Sequence, residues 1–241
     1  NNKFKSAVEP LLYTEMSEAN RLQTEKFLGS LWDEMLNAVA SSRNMKPGYL
    51  NKIADSVLVR QSGDAVDHKM ADDALYYDEV LDILKVKADS SENAELKLLS
   101  FKKYALKKTK EERNLAKLEP KNLAVIFAEG EIVDGNGSQT QIGGTSLSKM
   151  IREAREDSTI KAVVLRVDSP GGSALASDII WREVVLTREA GKPVVVSMGD
   201  VAASGGYYIS CAADKIYAQP NTITGSIGVF GIIPYTGKMF E

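Results

Sequence analysis

Residues 192–230 read KPVVVSMGDVAASGGYYISCAADKIYAQPNTITGSIGVF, and how this stretch divides decides the fold. Val194-Val195-Val196 is a β-branched apolar run of the kind a central parallel strand supplies, because a strand covered by helices keeps little polar alternation. The pattern predicts a strand over 194–197, a turn at Met198-Gly199-Asp200 and, beyond the small residues Ala202-Ala203-Ser204-Gly205-Gly206, a helix over 207–213. Ser204 falls where strand gives way to helix. The first N–H groups of a helix lack intrahelical partners and carry partial positive charge, which suits a developing oxyanion. Two readings of Ser204 compete: a helix N-cap, for which serine is a favoured residue, and a nucleophile whose small neighbours leave the backbone open to substrate.

A second stretch, VVLRVDSPGGS over 163–173, repeats the design: a strand over 162–167, a Pro-Gly-Gly turn, then a helix over 173–190. Gly171 and Gly172 can bring bare backbone N–H groups close to a ligand, as an oxyanion hole requires. The chain has one histidine, His68, between Asp67 and Lys69 and remote in sequence from Ser204. A Ser-His-Asp triad would have to recruit it, so a serine enzyme built on this chain calls for another base, and lysine is the usual substitute. A lysine serves as base only in its neutral form, which desolvation or a nearby positive charge favours. Asp168 and Asp200 stand at strand ends. They read as turn residues bonding their own backbone rather than as orienting acids, since a carboxylate beside a lysine base favours the ammonium form.

Upstream lie a strand over 124–128, a turn at 134–137 and a helix over 146–156. Strand and helix alternating through short loops predict an α/β fold with a parallel sheet and right-handed crossovers. Active residues then belong at the C-terminal ends of the strands, where Gly172 and Ser204 both fall. In the first part of the chain Ser17 reads as the N-cap of a helix to about residue 40, whose apolar positions Leu22, Phe27, Leu28, Leu31, Trp32, Leu36 and Val39 predict core packing. Short helices follow over 49–54 and 77–86. Asp72, Asp73, Asp78 and Glu79 read as acids complementing helix starts rather than metal ligands. Lys102, Lys103, Lys107, Lys108 and Lys110, interleaved with Phe101, Tyr104 and Leu106, read as a solvated connector, with anionic lipid as the alternative partner. Cys211 reads as a small buried hydrophobe.

Composition sets the bounds. The 241 residues are 44% hydrophobic and 26% charged, enough to bury a sizeable core. A net charge of −3 gives no reason to expect nucleic acid. A single cysteine excludes an internal disulfide, and the sequence contains no apolar run of membrane-spanning length.

The segments AASGGYYIS and TGSIGVFG, preceded by VDSPGGS, together resemble the bacterial signal peptide peptidase A family, which belongs to the Clp protease and crotonase fold group. The opening Phe4-Lys5-Ser6-Ala7-Val8-Glu9-Pro10 is similar to that family's Y-K-S-A-x-E-P segment, with Phe4 in place of tyrosine. The resemblance implies Ser204 as nucleophile, Lys5 as general base, Ser226 as the hydroxyl that orients the lysine, and the Gly172 and Gly205 N–H groups as oxyanion hole, with neither cofactor nor metal. It also implies a fragment of a two-repeat chain: residues 1–96 close the first repeat, 97–121 form a basic linker and 122–241 open the second. Cleaved signal peptides are the implied substrates and a ring-like homo-tetramer the implied assembly, attached to the bacterial inner membrane through segments outside this sequence and facing the periplasm. A crotonase-type acyl-CoA enzyme and a non-catalytic assembly member are the rival expectations on the same fold.

Overall fold

The computed structural model describes residues 3–88, 96, 98–107, 122–229, 231 and 237; Lys108, Lys110 and most of the 97–121 connector lie outside them. Two compact units form: Asn1–Leu31 with Pro120–Glu241, and Trp32–Glu119. The N-terminal lysine segment and Ser204 thus share one unit.

The chain opens with α1 (Glu9–Leu12) and α2 (Glu18–Arg43). Ser17 caps α2 as expected, its Oγ accepting the Asn20 N–H at 3.1 Å. The broad apolar face foreseen for α2 is buried only at Leu36 and Ala40, whereas Leu22, Phe27, Leu28 and Trp32 stay exposed. The second unit gathers Leu36, Ala40, Leu50 and Ile53 around α3 (Pro47–Asp55). It continues through α4 (Ser62–Asp67), α5 (Tyr77–Lys87) and a helical stretch over 101–107, α6. His68 follows α4, its Nδ1 2.7 Å from the Tyr49 hydroxyl. The acidic residues are placed as helix-start acids and surface partners: Asp78 and Glu79 occupy the first turn of α5, and Asp72 pairs with Arg43.

The larger unit holds the sheet. In chain order it comprises β1 (Leu123–Glu129), β2 (Glu131–Val133), β3 (Gln141–Gly143), α7 (Gly144–Glu156), β4 (Ala162–Ser169), α8 (Ala174–Glu189), β5 (Val194–Ala203), α9 (Gly205–Ser210), β6 (Lys215–Tyr217) and β7 (Ile223–Gly225). β1, β4, β5 and β6 lie side by side, all parallel, and β7 pairs with the later part of β5. The fold is therefore α/β with a parallel sheet and flanking helices, as the alternation predicts. The run at 194–196 is not buried on both faces: Val194 and Val196 are buried while Val195 is half-buried, and β4 alternates in the same way. Leu165, Val167, Val194 and Val196 fill the inner face against Ile151, Ile180 and Val184. Each such side chain contributes roughly 1.5–3 kcal/mol by leaving water. The buried hydroxyls of Ser177 and Thr187 on α8 donate to carbonyls one turn back, at 2.8 and 2.7 Å, so this face keeps its polar groups satisfied. Glu183, buried on α8, accepts from Arg152 and Arg155 of α7 and ties the two helices together.

Three local expectations are corrected. β5 does not stop at residue 197 but runs to Ala203, and Met198-Gly199-Asp200 lies within it rather than in a turn. The reason is a bulge: Val167 pairs with Met198 but Ser169 with Ala202, so two steps along β4 face four along β5. Asp168, expected to bond its own backbone, instead accepts the Val201 N–H of that bulge at 3.0 Å. Cys211, expected in the core, is exposed: it is the C-cap of α9, and its thiol donates back to the Tyr208 carbonyl at 3.1 Å on the solvent side.

Candidate active site

Ser204 joins β5 to α9 in a conformation serine rarely adopts, with φ 52° and ψ −116°. Such backbone costs roughly 1–3 kcal/mol and persists only where the surroundings enforce it. Here the Ser204 N–H donates to the Gly225 carbonyl at 2.9 Å and its carbonyl accepts the Tyr208 N–H at 2.9 Å. The side chain makes no capping bond, so the N-cap reading fails and the hydroxyl stands at a sharp strand-to-helix turn. Close packing demands glycine in the next two positions. A Cβ on Gly205 would lie 2.6 Å from Ser177 Oγ, and one on Gly206 would lie 2.5 Å from the Ser169 carbonyl oxygen.

The second strand end reaches the same place. Ser169 is fully buried and its Oγ accepts the Gly171 N–H at 3.1 Å, fixing the turn that follows β4. Ile132 of β2 donates its N–H to the Gly171 carbonyl and accepts the Ser173 N–H, both at 2.8 Å. In this bridge Gly172 lies between the bonded groups, and its own N–H takes no part. The turn lies directly on the serine: a Cβ on Gly171 would fall 2.6 Å from the Gly205 nitrogen and 2.8 Å from Ser204 Cβ. Ser173 caps α8 by accepting the Ala176 N–H at 3.2 Å and donates to Asp134 Oδ1 at 2.5 Å, anchoring the far end of the turn. Gly172, Ser204 and Gly205 are thus held within one small volume, beside the unbonded N–H groups at the start of α9.

Lys5 arrives from the N-terminal segment. Its Nζ donates to the Ile227 carbonyl, and a Cβ on Gly228 would stand 3.6 Å from that nitrogen. Because Gly225 holds the Ser204 N–H, the three residues 225–227 lead from the serine to the lysine. Ser226 sits at the centre of this link with φ 47°, but the lysine bonds the neighbouring carbonyl rather than the Ser226 hydroxyl. The desolvation expected around Lys5 is missing among the described residues: Lys5 is exposed, Phe4 is 48% exposed, and Ile227 and Val229 are 64% and 85% exposed. The segment bearing Lys5 is fixed further along by Glu9, whose carboxylate accepts from Ser17 Oγ at 2.7 Å and Asn20 Nδ2 at 2.9 Å. The Ser17 hydroxyl, chiefly, holds the Glu9 carboxyl below its ordinary range.

His68 belongs to the other unit and bonds Tyr49. Asp200 is exposed on the bulge. Asp134, Ser169 and Glu9 are supports that sequence reasoning passed over. Two of them stand inside the quoted motifs, immediately before Pro170 and Pro10.

The model of the family described as "Peptidase family S49" matches residues 1–91 and 187–241, more than half of the chain. "Protease 4" of Salmonella typhi is 41% identical over 238 residues, covering 95% of this chain and 37% of its own length. "Protease 4" of Haemophilus influenzae is 36% identical over 240 residues, covering 96% of this chain and 38% of its own. "Serine protease SPPA, chloroplastic" of Arabidopsis thaliana is 34% identical over 250 residues, covering 99% and 35%. The chain therefore spans little more than a third of the length of these relatives.

Proposed function

Since the chain belongs to peptidase family S49, we propose that it carries both halves of a Ser/Lys dyad of a serine endopeptidase, with Ser204 as nucleophile and Lys5 as base. Lys5 in its amine form takes the Ser204 proton as the serine oxygen attacks the scissile carbonyl. The N–H groups of Gly172 and Gly205 receive the oxyanion of the tetrahedral intermediate. Lys5 then returns the proton to the leaving amine, and water, activated by the same lysine, hydrolyses the acyl-enzyme. The covering that Lys5 needs to act as an amine comes from the bound peptide. Ser226 orients the lysine once it leaves the Ile227 carbonyl.

The observation that carries this reading is the uncapped Ser204 in left-handed backbone, linked through residues 225–227 to the amine of Lys5. A crotonase-type acyl-CoA enzyme has no use for a strained serine at this position. On this reading the substrates are cleaved signal peptides, threaded in extended form, and the enzyme works as a homo-tetramer on the periplasmic face of the inner membrane. Residues 1–96 then close one repeat and 122–241 open the next, joined by the basic connector 97–121. Among the described residues no helix is long and apolar enough to cross a membrane; on this reading the attachment belongs to segments outside this sequence.

The test uses the full-length protein, a synthetic signal peptide and a serine-reactive phosphonate. Ser204→Ala and Lys5→Ala are expected to abolish hydrolysis, Ser204→Ala to abolish labelling, and His68→Ala to change neither. Loss of hydrolysis in a folded His68→Ala variant, or persistence of it in Ser204→Ala, overturns the dyad.

A further inference from the structure

Asp168 is the charged side chain nearest in sequence to the proposed oxyanion turn, and its carboxylate lies in the bulge of β5. Val167 and Ser169 on either side are paired to Met198 and Ala202, so Asp168 faces the excess residues Gly199, Asp200 and Val201. Its Oδ1 accepts the Val201 N–H at 3.0 Å, a donor that the interrupted ladder between β4 and β5 leaves without a backbone acceptor on that side. The carboxylate packs flat against Gly199, where a Cβ would come within 2.8 Å of Cγ and 3.0 Å of Oδ2. On the opposite side the Asp168 carbonyl accepts the Gly130 N–H at 2.9 Å, so the residue is itself held by the chain leaving β1. Beyond Val201 every step to the serine is pinned: Ala202 and Ala203 pair with Thr224 and Gly225, and the Ser204 N–H bonds Gly225.

We propose that Asp168 is a positioning residue for the nucleophile: its carboxylate acts as the acceptor that holds the β5 bulge open at Val201 and thereby sets where Ser204 stands, and its negative charge is not needed. The proposal rests on Ser204 being the nucleophile. A relaxed bulge lets the compressed segment of β5 extend and shifts the serine relative to the Gly172 turn, and a displacement of about 1 Å at a reacting atom can lower the rate roughly 100-fold. Asparagine keeps an oxygen acceptor at the same place, whereas alanine leaves the Val201 N–H unpaired in a half-buried gap.

In the full-length protein, Asp168→Asn is expected to keep kcat within threefold and to leave the pH profile of kcat/KM unchanged. Asp168→Ala is expected to lower kcat tenfold or more with KM within twofold, to slow phosphonate labelling of Ser204 in the same ratio, and to speed hydrogen exchange at the Val201 amide. A tenfold loss or a shifted pH profile in Asp168→Asn shows that the charge is used and overturns the proposal, as does Asp168→Ala with wild-type kcat and labelling. If the alanine variant does not fold, the asparagine variant decides alone. Ser204→Ala separates the two claims. If it retains hydrolysis, the reading of the serine fails, and exchange at Val201, equal in wild type and Asp168→Asn but faster in Asp168→Ala, still judges the part played by Asp168 in the bulge.

Discussion

Replacing Gly171 by alanine tests directly whether the turn after β4 seats the serine. Gly171 has φ 101°, and its added Cβ would meet the Gly205 nitrogen at 2.6 Å, Ser204 Cβ at 2.8 Å and the Ala203 carbonyl oxygen at 3.0 Å. Two of these three atoms are backbone and cannot rotate away. Left-handed backbone in a non-glycine residue costs roughly 1–2 kcal/mol, and forcing an extra methyl into packed surroundings adds roughly 1–3 kcal/mol. The sum is about 2–5 kcal/mol, which corresponds to a fall in Tm of roughly 5–20 °C for a domain of this size. Gly191 supplies the control, since it has φ 80° and nothing within 4 Å of its added Cβ. Gly191→Ala should therefore show only the backbone part, about 1–2 kcal/mol. Relief of the clash at residue 171 separates the turn from Ser204-Gly205 and parts the two proposed oxyanion donors, so on the proposed mechanism kcat should drop by roughly 100-fold, while Gly191→Ala keeps its rate. Thermal unfolding by circular dichroism and steady-state hydrolysis of a signal peptide give both readouts. If Gly171→Ala is no less stable than Gly191→Ala and hydrolyses within threefold of wild type, the turn does not press on the serine and the reasoning fails.

Two further outcomes concern the frame. Glu183 is buried and receives Arg152 at 2.9 and 2.6 Å and Arg155 at 3.2 Å. Glu183→Gln should destabilise by about 1–3 kcal/mol with kcat unchanged below the unfolding transition, and an unaltered Tm refutes the role. Asp214 accepts the Val194 N–H at 2.8 Å and Arg188 Nε at 2.8 Å, and the first of these chiefly holds its carboxyl below the ordinary range. A lowered folded value means that this stabilisation is complete above the ordinary aspartate pKa of about 3.9 and is lost as the pH falls through the folded value. The Tm gap between wild type and Asp214→Asn should then stay constant near neutrality and close in acid, and a gap that closes above pH ~5 contradicts the assignment.

The strands and helices were legible where one periodicity dominates. The apolar runs at 163–165 and 194–196 became β4 and β5, and the helices expected over 146–156 and 173–190 became α7 and α8. The end of β5 was not legible, because Met198-Gly199-Asp200 has turn composition and the side chains that hold those residues in a bulge, Asp168 on the Val201 N–H, Arg166 on the Met198 carbonyl and Thr222 on the Gly199 carbonyl, come from elsewhere in the sequence. No pattern in one strand reports what the adjacent strand offers it. The three-residue strands β2, β3, β6 and β7 were equally invisible, since three residues are too few to show a strand period. Of the candidate site, Ser204 and the Gly171-Gly172 turn could be read from local spacing, whereas the roles of Lys5, Ser226 and Gly205 rested on family resemblance, and the bond from Lys5 to the Ile227 carbonyl links residues 222 apart.

The two proposed catalytic groups differ in how the fold holds them. Ser204 is fixed from three directions: the bulge ahead of it, the Gly225 carbonyl beside it and the glycine-tight first turn of α9 behind it. These supports rest on fully buried Val196, Ala202 and Ile209, so a strain of roughly 1–3 kcal/mol is small against the core that enforces it. Among the described residues Lys5 has one hydrogen bond, to an exposed segment whose apolar side chains face solvent. A nucleophile needs its geometry before substrate arrives, because attack tolerates little error in direction. A lysine base needs instead a change of surroundings, from water that favours its ammonium form to a covered site that favours the amine. An exposed lysine tethered to the strand end by a carbonyl is suited to that order of events. On the proposed function, a peptide that covers residues 225–229 removes water from the Lys5 side chain at the same moment that it brings the scissile bond to the serine.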